Sequence, residues 1–213
     1  MEQINKLEQG STEWLEARSG RATSSVIHRI VAKPRTKKAQ EDGELSEGAK
    51  TFAFEKAIEL LYGIKDSFEG NDATEWGNDW EATALAEYEK TTFSTVERTG
   101  FIPDGENAGG SPDAIEDGSI IIDFKCPFNQ ANFYKFVYTE EIEKAYYWQL
   151  QDLMRITGCK AAKLVYFNPH EGKKQLYAVD VPRNEDDIAW LNDRIEKFVK
   201  LRDEIIIDLK KKL

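Results

Sequence analysis

The chain has 213 residues, of which 40% are hydrophobic and 32% charged, enough to bury one substantial core, so a single domain over 1–213 is expected. A formal net charge of −10 excludes a uniformly basic nucleic-acid surface but leaves room for a local basic track beside a cluster of carboxylates. No apolar run approaches the ~20 residues that span a bilayer. The start lacks a signal-peptide plan, and Cys126 and Cys159 form no disulfide framework or CxxC pair; a cytoplasmic chain with reduced thiols is expected.

In chain order, Ser11-Thr12 predicts the N-cap of a short helix through Arg18, and Thr23-Ser-Ser25 caps a second through about Ile30. Residues 33–47 are basic, then acidic, and read as a mobile loop. Ser46 caps a helix to Tyr62, which Gly63 is placed to end, and a further helix covers about Ala73 to Glu89. The period then changes. Thr92–Thr99 and Ser119–Cys126 read as strands, with turns at Pro103–Gly105 and Gly109–Asp113 between them. Helices over about Gln130–Val137 and Glu140–Thr157 follow, then strands over Ala162–Asn168 and Gln175–Val181 joined by a turn at Pro169–Gly172. Asn184 opens a long helix with Trp190, Ile195, Phe198 and Val199 inward. This order predicts an α/β fold, a mixed central sheet flanked by helices. Basic clusters stand at Lys33–Lys38, Lys173-Lys174 and Lys210–Lys212.

The segment Ile120-Ile-Ile-Asp-Phe-Lys-Cys126 carries the most chemistry. Side chains alternate along a strand, so Ile121, Asp123 and Lys125 share one face while Ile120, Ile122 and Phe124 share the other. A strand this apolar belongs inside a sheet, where buried charges cost several kcal/mol each unless paired or bound to metal. Ten residues before Asp123, the turn Ser111-Pro-Asp113 brings in a second carboxylate. Pro-Asp followed at this distance by Asp-x-Lys is the plan of the PD-(D/E)xK nucleases, whose core is restriction-endonuclease-like. Two hard oxygen ligands, with the Phe124 carbonyl as a third, suit Mg²⁺, and Mn²⁺ can substitute. Lys125 is placed to orient or deprotonate the attacking water and to stabilise the transition state. Glu81, beside the apolar side of its helix, offers a third carboxylate. Gln149 and Gln151 point about 200° apart on their helix, so only one of them reaches the site.

These motifs, together with Gln9–Gly20, Thr23–Ser25, Ala32–Thr36, Trp76–Glu81, Asp123–Phe128 and Gln149–Gln151, resemble the lambda-exonuclease type of the YqaJ-like viral recombinase family over nearly the whole chain. The resemblance implies a phage- or prophage-encoded, Mg²⁺-dependent exonuclease that acts on double-stranded DNA ends in the 5′-to-3′ direction and leaves 3′ overhangs. It implies Asp113 and Asp123 as metal ligands, Lys125 as catalytic lysine, and Glu81 and Gln151 as supporting residues. Arg18, Ser25 and Ser111 match positions that grip a 5′-phosphate, as a guanidinium and hydroxyls can. It further implies a homotrimeric ring and a single-strand annealing protein as partner. Relatives often have Glu where this chain has Asp123, which bears on rate. The alternatives are a structure-selective or nicking endonuclease on the same core, and a non-catalytic DNA-end-binding protein, which would have no need of Asp113, Asp123 and Lys125. Two cysteines exclude a four-cysteine iron–sulfur nuclease, and His28 and His170 lack ligand-spaced partners.

Overall fold

The charged strand lies at the centre of a five-stranded sheet. The computed structural model describes residues 7, 9–63, 72–170 and 175–213; the first six residues, Lys173-Lys174 and the end of the Pro169–Gly172 turn lie outside them. The sheet order is β2 (Val96–Arg98), β5 (Ala114–Glu116), β6 (Ile120–Lys125), β7 (Ala161–Asn168) and β8 (Gln175–Pro182). Only β6 and β7 run parallel; the other neighbours are antiparallel. A smaller sheet is ordered β1 (Ala22–Thr23), β4 (Ala108–Gly110), β3 (Ile102–Asp104). The helices are α1 (Thr12–Arg18), α2 (His28–Val31), α3 (Lys37–Glu41), α4 (Glu47–Tyr62), α5 (Asp72–Thr92), α6 (Gln130–Thr139), α7 (Lys144–Thr157) and α8 (Glu185–Lys212).

The alternation of β6 is realised in its packing. Ile121 joins Phe133 and Phe136 of α6 and Leu150, Leu153 and Met154 of α7 in one cluster. Ile122 and Phe124 face the other way, against Ala84 and Tyr88 of α5. The sheet is therefore covered on both sides, which is why its central strand reads as almost continuously apolar. A further cluster joins α2, α4 and α8 through Ile30, Phe52, Leu191 and Phe198, with the rings of Phe52 and Phe198 stacked 5.3 Å apart.

Local chemistry sets several helix ends as expected. The Ser11 and Ser46 side chains accept hydrogen bonds from the Trp14 and Ala49 N–H groups. Gly63 closes α4 at φ 66°, a left-handed conformation that suits glycine. Asn184 caps α8, which opens on Glu185, Asp186 and Asp187 and closes on Lys210, Lys211 and Lys212. Charges so arranged complement the helix dipole, and this accounts for the last basic cluster without a ligand.

Five expectations are corrected; the first is that the turns read at Pro103–Gly105 and Gly109–Asp113 begin inside strands β3 and β4. Residues 33–47 contain α3, whose N-cap Thr36 accepts from the Ala39 N–H, while Arg194 and Lys197 of α8 donate to the Gly43 carbonyl. A short polar helix tied down from across the chain has no apolar periodicity to betray it. Thr23 caps no helix with its side chain; it pairs with Gly109 in the small sheet, and Ser24–Val26 form a 3₁₀ turn before α2. The strand expected from Thr92 starts only at Val96, because α5 runs on to Thr92. The helix expected from Glu140 starts at Lys144, Glu140 being the left-handed C-cap of α6. The small sheet leaves no pattern in the sequence, because its strands are two or three residues long and rich in Gly, Pro and Ala. Gly110 shows the reason for glycine here: a Cβ would fall 2.2 Å from the Ser24 hydroxyl oxygen, so β4 could not approach the 3₁₀ turn.

Candidate active site

Asp113 ends the turn into β5, and its Oδ2 accepts the Phe124 N–H at 2.7 Å. The β5–β6 register pairs Ala114 with Ile122; two residues on, it would set Pro112 against Phe124. A proline has no N–H to donate, and the Pro112 carbonyl already accepts the Thr99 hydroxyl at 2.7 Å. The N–H and C=O of one strand residue point the same way, so the Phe124 carbonyl is directed toward Asp113 and finds no ladder partner in Pro112. The Pro-Asp pair thus interrupts the ladder and leaves a carboxylate and a carbonyl beside each other.

Asp123 is 1% exposed. Its Oδ1 accepts the Gln149 amide at 2.8 Å, and its Oδ2 lies 2.6 Å from Lys125 Nζ. The Lys125 ammonium is thus the close partner of this buried oxygen. The Lys125 ammonium also sits 4.6 Å from the Tyr146 ring centroid. Burial by itself would lower the Lys125 pKa, but Asp123 and Asp113 outweigh it and hold the ammonium above its ordinary value. Asp113 is held well above the usual carboxylate range by burial first, then by the negative charges of Asp123 and Glu81. Burial, with Glu81 and Asp113 adding, raises the Cys126 thiol to about 12, so it stays protonated near neutrality.

All of these groups line one cleft of about 610 Å³, and Arg18, Ser25 and Ser111 line it too. The Arg18 guanidinium donates to Ser25 Oγ at 2.9 Å and lies 4.1 Å over the Trp14 ring. Trp14 Nε1 in turn donates to Ser111 Oγ at 2.9 Å, leaving the Ser111 O–H to donate elsewhere. Burial lowers the Arg18 pKa to about 10, against a raising effect of Glu59, and the group keeps its charge near neutrality. Glu81 is in the cleft and pairs with Arg98 at 2.9 Å.

Gln151 is not in the cleft. It is fully buried, donates to the Pro182 carbonyl at 2.8 Å and accepts the Asn184 N–H at 3.0 Å, tying α7 to the start of α8. Gln149, not Gln151, is the glutamine in the cleft, with its amide on Asp123. The sequence offered one usable signal: Gln149 lies three residues from Tyr146 and shares its helix face. Trp14, Tyr146 and Arg98 were missed, because an aromatic or arginine read singly looks like packing or surface.

Does this donor set fit a divalent cation? Among the described residues no three His, Cys, Asp or Glu side chains gather as a ligand set. Two carboxylates and a carbonyl do suit a hard cation that keeps several waters. The repulsion of Asp123 and Glu81 on Asp113, larger than the attraction of Lys125, favours added positive charge there.

A mixed sheet between helices, with Pro-Asp and Asp-x-Lys meeting at one end of its central strand, defines the PD-(D/E)xK fold. The YqaJ-like viral recombinase domain matches residues 13–160, and the chain belongs to that family. It is similar to the alkaline exonuclease LHK-Exo of Laribacter hongkongensis, at 24% identity and TM-score 0.80 over 95% of this chain and 97% of that one. The same protein in complex with dAMP gives TM-score 0.82 at 24% identity over the same shares. A phage-related exonuclease from Haemophilus somnus 129PT is 22% identical, with TM-score 0.71 over 89% of this chain and 96% of that one. No curated protein matches. Among the described residues no helix is long and apolar enough to cross a membrane.

Proposed function

We propose that the chain is a Mg²⁺-dependent exonuclease that degrades linear double-stranded DNA 5′-to-3′ from 5′-phosphorylated ends. The observation that carries this reading is the shared cleft: Arg18, Ser25 and Ser111 open onto the same space as Asp113, Asp123 and Lys125. A terminal-phosphate grip beside a hydrolytic centre suits an enzyme that starts at ends. Asp113, Asp123 and the Phe124 carbonyl would hold Mg²⁺, with Mn²⁺ able to substitute. When bound, the ion supplies water activation and offsets charge on the scissile phosphate. Gln149 holds the Asp123 carboxylate in place, Lys125 donates to the attacking water and to phosphate oxygen, and Tyr146 limits where the ammonium can point. Glu81, held by Arg98, adds a further carboxylate to the cleft.

End-labelled linear duplex with and without Mg²⁺, bearing a 5′-phosphate or a 5′-hydroxyl, tests the reading. Digestion should need the metal and favour the phosphorylated end. Arg18→Ala should remove most of that preference, a loss of about 10–100-fold on phosphorylated ends, consistent with ~1.5–3 kcal/mol for a charge-assisted hydrogen bond. Equal wild-type rates on both ends would rule out the phosphate grip. Cutting of covalently closed circles would instead mean an endonuclease on the same core.

The family resemblance also supports a ring of three subunits acting on DNA ends with a single-strand annealing protein as partner. Phosphate contacts are salt-sensitive, and a chain of net charge −10 would hold DNA poorly through many cycles unless a closed ring retained it. Light scattering coupled to gel filtration should give three times the chain mass. A monomer that nevertheless degrades kilobases in one encounter would exclude the ring.

A further inference from the structure

Phe128 is 54% exposed, although burying a phenylalanine is worth about 1.5–3 kcal/mol. Among the exposed large apolar side chains of the described residues, it is the one on the wall of the catalytic cleft. Its surroundings hold it there. Pro127 precedes it, and Trp76 meets its ring edge-on, at 5.6 Å and 89°. Trp76 is backed in turn by His170, stacked at 4.9 Å and 17°, and by Trp80 at 5.5 Å. The result is an aromatic wall whose foremost ring, Phe128, lines the cleft and stays half exposed. Phe128 also stands three residues after Lys125, so their Cα atoms are at most about 11 Å apart. Asp113, Asp123, Lys125 and Arg18 make the rest of this cleft a place for phosphates, and a phosphate in a nucleic acid brings a base with it.

We propose that Phe128 is a positioning residue that stacks on a nucleobase next to the scissile phosphate, holding the terminal nucleotide of the degraded strand in register with Lys125. The proposal rests on the nuclease reading above and adds to it how the substrate is aligned. Because every base has a π-face, the contact serves all four bases alike, as an enzyme that digests any sequence requires.

The test compares wild type, Phe128→Ala, Phe128→Leu and Phe128→Trp on linear duplex whose terminal nucleotide either carries its base or is abasic. Base–aromatic stacking is typically worth enough to change binding ~5–150-fold. On intact ends Phe128→Ala should raise KM by a factor in that range, with the loss falling on KM rather than kcat. Phe128→Trp should restore it and Phe128→Leu should not. On abasic ends wild type and Phe128→Ala should coincide. As a readout that needs no cleavage, 2-aminopurine at the terminal position should be quenched by wild type in Ca²⁺ and not by Phe128→Ala. An unchanged KM in Phe128→Ala, an equal abasic penalty in both proteins, or full restoration by leucine would overturn the stacking role. Should wild type leave linear duplex intact in Mg²⁺, the nuclease reading fails instead, while the 2-aminopurine signal still decides whether Phe128 meets a base.

Discussion

Lys125→Ala and Asp123→Asn should each yield a folded protein whose digestion of linear duplex in Mg²⁺ falls by ~10²–10³-fold or more, the usual cost of losing a transition-state charge or a metal ligand. The fold should survive for identifiable reasons. Lys125 is at the end of β6, with its side chain 22% exposed, so truncating it opens the cleft wall rather than the core. Asparagine at 123 keeps the volume and an oxygen for the Gln149 amide to donate to. The predicted signature is therefore a cooperative circular-dichroism melt, lowered by loss of the Asp123–Lys125 pair but with the protein still folded at the assay temperature, beside lost activity. A cleanly folded Lys125→Ala protein that digested duplex at near wild-type rate would remove Lys125 from the chemistry.

The largest expected loss of stability lies behind the proposed phosphate grip. Asp152 is fully buried on α7, accepts the Ser24 hydroxyl at 2.6 Å and pairs with Arg155 Nε at 2.8 Å. Arg155 reaches on to Asp104 of β3 at 2.5 Å, and its Nη2 is already buried without a partner. Burial raises the Asp152 pKa even against the pull of Arg155, so desolvation is the larger force on this carboxyl. Removing one partner of such a set strands the other charge, at a typical cost of about 3–5 kcal/mol. Asp152→Ala should therefore lower Tm by roughly 6–20 °C for a chain of this size. The Ser24 anchor holds the turn that carries Ser25, so the 5′-phosphate preference should weaken at temperatures where the variant is still folded. A melt within about 2 °C of wild type would mean that Asp104 alone satisfies Arg155.

Periodic and charge-bearing elements were legible in the sequence. The caps at Ser46 and Asn184, the two-sided apolar pattern of β6 and the Pro-Asp…Asp-x-Lys spacing all act within a few residues, and they came through with bounds close to those found. Short elements did not. α3 and the small sheet owe their form to distant partners, Arg194 and Lys197 for the first and the fit of Gly110 against Ser24 for the second.

The site divides along the same line. Asp113, Asp123 and Lys125 could be named as candidates from the sequence because the proposed chemistry calls for those groups at that spacing, and the fold brings them to one cleft. Charges on an apolar central strand are also too costly to stand there without a partner or a ligand. The choice between Gln149 and Gln151 could not be made that way. Both are glutamines on one amphipathic helix, and only the seating of α7 on the sheet turns the first toward Asp123 and the second toward Pro182 and Asn184. Likewise Trp14, Tyr146 and Phe128 join the cleft only when folding sets their rings against Arg18, Lys125 and the open space. An aromatic side chain carries no charge that must be compensated, so its sequence neighbours do not constrain it, and contacts made across the fold decide what it does.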